Sequence, residues 1–90
     1  MSSATREVRI GNLRGLHARA SAKFVHIATS LPVKIEVEKD GNRVCGTSIM
    51  GLMMLGAAYG DSITIHADGD GADEAVQALA DLVEARFGEE

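Results

Sequence analysis

The apolar residues of this chain keep two different periods, and the points where one gives way to the other constrain its architecture. Arg6-Glu7-Val8-Arg9-Ile10, Lys34-Ile35-Glu36-Val37-Glu38 and Ser62-Ile63-Thr64-Ile65-His66-Ala67 alternate polar and apolar residues. A period of two gives a strand one buried and one wet face. Between them the spacing becomes helical. Ala20, Phe24, Ile27, Ala28 and Leu31 form one stripe from Ala18 until Pro32 stops it, and Ala75, Val76, Leu79, Leu82, Val83 and Phe87 form another from Ala72. Asp73 and Glu74 suit the first turn of that last helix. Lys39-Asp40-Gly41-Asn42 carries an Asp-Gly turn signal ahead of Arg43-Val44-Cys45, which predicts a hairpin. Thr47 and Ser48 are capping residues ahead of the apolar run Ile49 to Leu55, with Gly56 closing a short helix.

The order is β-α-β-β-α-β-α. Strands with one wet face and helices with one apolar stripe bury both against each other as an α+β, open-faced β-sandwich, a four-stranded antiparallel sheet with three helices on one face. No repeat, linker or low-complexity tract divides the chain, so residues 1–90 read as a single domain.

Composition narrows the function. Hydrophobic content of 46% with 24% charged residues describes a folded chain, and 90 residues are too few for two lobes around a catalytic cleft. The three aromatic residues, Phe24, Tyr59 and Phe87, offer no stacking platform, and the net charge of −4 argues against nucleic acid as a partner. MSSATREVRI lacks an apolar run, and Ile49 to Tyr59 is too short to span a bilayer. No membrane insertion is expected. One cysteine, Cys45, cannot form an internal disulfide and reads as a small apolar strand residue, so a reduced, cytoplasmic protein is the default. Charge is unevenly distributed. Residues 1–45 hold eight basic and four acidic side chains, whereas residues 46–90 hold Arg86 against nine carboxylates. Arg9, Arg14, Arg19 and Lys23 cluster in sequence around His17 as a basic rim, with much of the acidic half in the last turn and helix.

Gly15-Leu16-His17-Ala18-Arg19 is where chemistry and local structure coincide. A histidine at a helix start sits beside unpaired backbone N–H groups and the positive end of the helix dipole. An anion attached to its ring is stabilised there by the amides of Ala18 and Arg19, and the Arg19 fork can hold phosphate oxygens. These are the requirements of a phosphorylated histidine. They also suit a domain that binds an anionic metabolite, and a lone surface histidine is more often structural. His26 and His66 show no metal-ligand spacing, and Asp68-Gly69-Asp70-Gly71 lacks the remainder of a calcium loop. Neither a metal nor a cofactor is expected.

Gly15-Leu16-His17-Ala18-Arg19-Ala20-Ser21-Ala22 resembles the active-site signature of the HPr family, the histidine-containing phosphocarriers of the phosphoenolpyruvate-dependent phosphotransferase system. Ser48-Ile49-Met50-Gly51 with Leu55-Gly56 resembles the family's regulatory serine segment, and the likeness runs from about Arg6 to Phe87. It implies a monomeric carrier, not an enzyme. His17 receives a phosphoryl group from Enzyme I, assisted by Arg19, and passes it to a histidine of an Enzyme IIA protein of the sugar or nitrogen branch. It further implies phosphorylation of Ser48 by an HPr kinase/phosphorylase. Partner docking then falls on Ala18, Ala22, His26, Ile49, Met50 and Met53. One residue departs from the pattern: the family usually has proline after the motif arginine, and Ala20 stands there. Alanine keeps an amide donor that proline lacks. The alternative reading is a regulatory module that only binds partners and is switched at Ser48.

Overall fold

In the computed structural model, which describes residues 2–89, the order is β1 (Ser3–Arg9), α1 (Ala18–Ser30), β2 (Lys34–Lys39), β3 (Asn42–Cys45), α2 (Ile49–Met54), β4 (Ser62–Asp68) and α3 (Ala72–Glu84). The strands form one antiparallel sheet in the order β1-β4-β2-β3. Only β2 and β3 are neighbours in both sequence and space. Asp40 and Gly41 join them with φ of 52° and 83°, the left-handed pair that a two-residue hairpin requires.

The alternation seen in the sequence is the alternation of burial. Val8, Ile35, Val37, Ile63, Ile65 and Ala67 point to the helical layer and are buried. Against them lie Ala20, Phe24 and Ala28 of α1, Leu52 of α2 and Ala75, Leu79 and Val83 of α3. The other face of the sheet carries polar side chains. There Arg43 pairs with Glu36 at 2.8 Å, and the His66 ring meets Glu38 at 2.9 Å. His66 is thereby a strand residue held by a carboxylate.

Two boundaries and the setting of one residue differ from the pattern-based reading. β1 starts at Ser3, because the pairings Ser3↔Asp68, Ala4↔Ala67 and Thr5↔His66 extend the ladder through residues too small to give an apolar signal. Cys45 is exposed on β3, its Sγ 3.0 Å from Thr47 Oγ1 and its thiol lowered by that hydroxyl and the Thr47 backbone, so it is no apolar packing residue. α3 stops at Glu84. Phe87 does reach the core, with 1% of its surface exposed, but through a break in which Arg86, Phe87 and Gly88 have φ of 58°, 54° and 76°. The two non-glycine residues held there cost about 2–4 kcal/mol together, most of which burial of a whole phenyl ring offsets at roughly 1.5–3 kcal/mol.

Candidate functional site

The loop from Ile10 to α1 is tied down on both sides. Ile10 N–H donates to Asp61 O at 2.8 Å, Gly60 N–H to Ile10 O at 2.8 Å and Leu16 N–H to Ala57 O at 3.0 Å. Gly15 has φ of 63°, and a Cβ there would lie 2.4 Å from the Ala57 carbonyl oxygen, so any side chain at this position would force the two backbone segments apart. Asn12, fully buried, donates through Nδ2 to Gly15 O at 2.8 Å, and buried Ser21 donates to Leu16 O at 3.2 Å. The loop therefore presents its next residue, His17, in one position.

His17 is the N-cap of α1, with extended backbone and its Nδ1 accepting the Arg19 N–H at 3.3 Å. Its carbonyl accepts the Ser21 N–H at 2.9 Å, the first bond of the helix. The amides of Ala18, Arg19 and Ala20 sit in the first turn, where no helical carbonyl precedes them, and point to the same end as Nδ1. Alanine at position 20 thus adds a donor where proline would give none.

The other ring nitrogen has a partner from the far end of the sequence. His17 Nε2 lies 2.6 Å from Glu89 Oε2, and Asn12 Nδ2 donates to Glu89 Oε1 at 3.1 Å. A carboxylate only accepts and an amide N–H only donates, so this pairing assigns the proton to Nε2 and the lone pair to Nδ1. The hydrogen bond from His17 holds the Glu89 carboxyl below its usual value. It outweighs the burial that pushes the other way, and Asn12 and the charges of His17 and Lys23 assist it. Lys23 Nζ donates to Phe87 O at 2.7 Å and so fastens the segment that carries Glu89.

The sequence-derived residues occupy two adjoining regions. Ala18, Arg19, Ala22 and His26 lie exposed on α1, where Arg19, Ala22, Lys23 and His26 line a groove with Ile27 and Leu82. Among the described residues the Arg19 guanidinium makes no hydrogen bond. α2 packs beside α1 and exposes Ile49 (40%), Met50 (67%) and Met53 (41%), while Leu52 and Leu55 are buried. Ser48 is the N-cap of α2, accepting the Gly51 N–H at 3.0 Å. Leu13, Met54 and Tyr59 are also exposed, apolar residues that helical spacing did not select. The basic rim needs a correction: a residue of the acidic half, Glu89, is the charged side chain in contact with His17. Sequence reasoning missed both Glu89 and Asn12. Asn12 lies in the loop after β1 with no pattern around it to mark it, and Glu89 is brought in only by the left-handed break after α3.

An antiparallel open-faced sandwich with a histidine capping its first helix defines a class. The chain matches the model of the PTS HPr component phosphorylation site over residues 4–85, and it belongs to that family. It is a phosphocarrier-family protein of the phosphotransferase system. It is 49% identical to the phosphocarrier protein HPr of Neisseria meningitidis serogroup A over 82 residues, covering 91% of this chain and 92% of that protein. The phosphocarrier protein NPr of Shewanella violacea is 36% identical over 89 residues, covering 99% and 98%. The crystal structure of HPr-C-His from Thermoanaerobacter tengcongensis superposes with a TM-score of 0.89 at 46% identity, covering 100% of this chain and 99% of that one. No helix among the described residues is long and apolar enough to cross a membrane.

Proposed function

We propose that His17 Nδ1 accepts a phosphoryl group from a phosphohistidine of Enzyme I and passes it to a histidine of an Enzyme IIA protein. The observation that carries this reading is the placement of Nδ1 at the start of α1, within reach of the Arg19 amide. As the group arrives, that amide can turn from the ring nitrogen to a phosphoryl oxygen, joined by those of Ala18 and Ala20, and the helix dipole favours the added charge. Arg19, exposed beside the ring, swings in to share it. The exposed surface of Ala18, Ala22, His26, Ile49, Met50 and Met53 serves as the docking face for both partners. Methionines suit a surface that meets two of them, because their flexible thioether side chains repack.

Phosphoenolpyruvate with an active Enzyme I should add the mass of one phosphate, acid-labile and alkali-stable, that vanishes in His17→Ala. An unlabelled wild type under those conditions refutes the carrier reading. A regulatory role for Ser48 has its own support. Its hydroxyl caps α2 and adjoins exposed Ile49 and Met50, so a phosphate there keeps the helix while adding nearly two negative charges to the docking face. HPr kinase/phosphorylase is the corresponding partner. Ser48→Asp should weaken binding to Enzyme I with native circular dichroism, and unchanged affinity excludes the switch.

A further inference from the structure

We infer that Glu89 is a positioning residue that keeps a proton on His17 Nε2 through both halves of the phosphoryl cycle. The inference rests on His17 being the acceptor, and it concerns the nitrogen that does not react.

Nδ1 and Nε2 face different chemistry. Nδ1 looks along the helix axis at amide donors, whereas Nε2 meets a carboxylate oxygen at 2.6 Å. When Nδ1 attacks, a bond from nitrogen to phosphorus forms as the bond from phosphorus to the donor nitrogen breaks. No proton leaves His17. The ring, still bearing its Nε2 proton, becomes cationic opposite Glu89. On discharge the bond from Nδ1 to phosphorus breaks, the electron pair returns to Nδ1, and the ring is again neutral with the proton on Nε2. If Nε2 lost that proton while loaded, the departing group would be an imidazolate, a far worse leaving group than imidazole. It would also turn a bare lone pair towards the Glu89 carboxylate. The carboxylate opposes that loss by charge and by hydrogen bond.

The fold holds Glu89 there deliberately. Two non-glycine residues, Arg86 and Phe87, take left-handed conformations, Phe87 is buried, and Lys23 Nζ binds the Phe87 carbonyl at 2.7 Å. Glu89 N–H donates to Arg86 O at 2.8 Å, and Asn12 Nδ2 orients the second carboxylate oxygen. The cations flanking His17 in sequence are Arg14, exposed on the preceding loop, and Arg19 and Lys23 on α1, of which Lys23 also acts on the Glu89 carboxyl. They favour the phosphoryl group and disfavour a ring cation, so Glu89 is the charge that acts in the opposite sense at Nε2.

The test follows the loaded protein with ring nitrogens labelled with ¹⁵N, read by ¹⁵N and ³¹P NMR across a pH series. Phosphoramidate phosphorylates imidazoles without Enzyme I, so loading does not depend on docking. The expected spectrum has phosphorus on Nδ1, and the loaded ring loses its Nε2 proton at lower pH in Glu89→Gln than in wild type. Glu89→Asp falls between them. Transfer to an acceptor Enzyme IIA should decline with pH along the same displaced curves. Superimposable titrations of wild type and Glu89→Gln overturn the role of Glu89, as does phosphorus on Nε2 in wild type. Failure of Enzyme I to label a protein whose titration behaves as described would instead strike only at the carrier reading.

Discussion

Gly15 and Gly56 share a backbone conformation and differ in what surrounds them, which makes alanine at each a matched pair. Their φ angles are +63° and +65°. A Cβ on Gly56 meets nothing within 4 Å, while one on Gly15 falls 2.4 Å from the Ala57 carbonyl oxygen and 2.9 Å from Ala58 Cα. Both substitutions bear the left-handed penalty of about 1–2 kcal/mol. Both also recover about 0.4–1 kcal/mol from a stiffer unfolded chain, which cancels in the difference. Only Gly15→Ala forces backbone apart, and misfits of this kind cost roughly 1–3 kcal/mol. Gly56→Ala should therefore cost about 1 kcal/mol, and Gly15→Ala about 1–3 kcal/mol more. For a domain of this length each kcal/mol lowers Tm by roughly 4–8 °C. With no tryptophan, and the one tyrosine, Tyr59, exposed, far-UV circular dichroism in urea and heat is the natural assay. Equal destabilisation of the two variants would refute the claim that the close approach of residues 15 and 57 holds the histidine loop.

Three further outcomes follow from single contacts. Ser48→Ala removes the side-chain cap on Gly51 and should cost about 1 kcal/mol in urea denaturation; no loss would mean that α2 does not depend on its cap. Cys45 is exposed and its thiol is lowered chiefly by the Thr47 hydroxyl, so Thr47→Val should slow its alkylation by iodoacetamide near neutral pH, and an unchanged rate would show that bond to be idle. Glu89 has a lowered carboxyl, so its contribution to stability is complete above the ordinary value of 4.5 and disappears as pH falls through the lowered one. Wild type should then lose its margin over Glu89→Gln in acid and keep it at neutral pH, and a margin independent of pH would contradict the hydrogen bond from His17 to the Glu89 carboxylate.

The layers of the fold were legible because period alone separates a strand from a helix, and a core can form only when stripes face one another. His17 was legible for a related reason: a histidine between a loop glycine and a helical stripe carries its own local setting. Glu89 was not. Its partner is 72 positions away, and the turn that delivers it uses Arg86 and Phe87 in a region that glycine and asparagine normally occupy. Helical spacing carried Phe87 into α3 because a buried ring on the same stripe looks alike whether the helix continues or breaks. Cys45 follows the same logic in reverse. Its neighbour Val44 faces inward, so alternation alone turned the thiol to water, and assigning it by residue type overrode that signal.

β1 pairs on one side only, with β4, from Ser3↔Asp68 to Arg9↔Ser62. It is also the element from which the histidine loop departs. Detachment of β1 would leave β2, β3 and β4 hydrogen-bonded while breaking the Ile10 bonds to Asp61 and Gly60. Subglobal openings of this kind need less free energy than complete unfolding. Chemical competence at His17 is therefore lost in any opening that releases β1, whether or not the rest of the domain unfolds with it. Because the β1 pairing joins distant parts of the sequence, it also closes late as the chain folds. Newly made protein should acquire its secondary structure before it can carry phosphate.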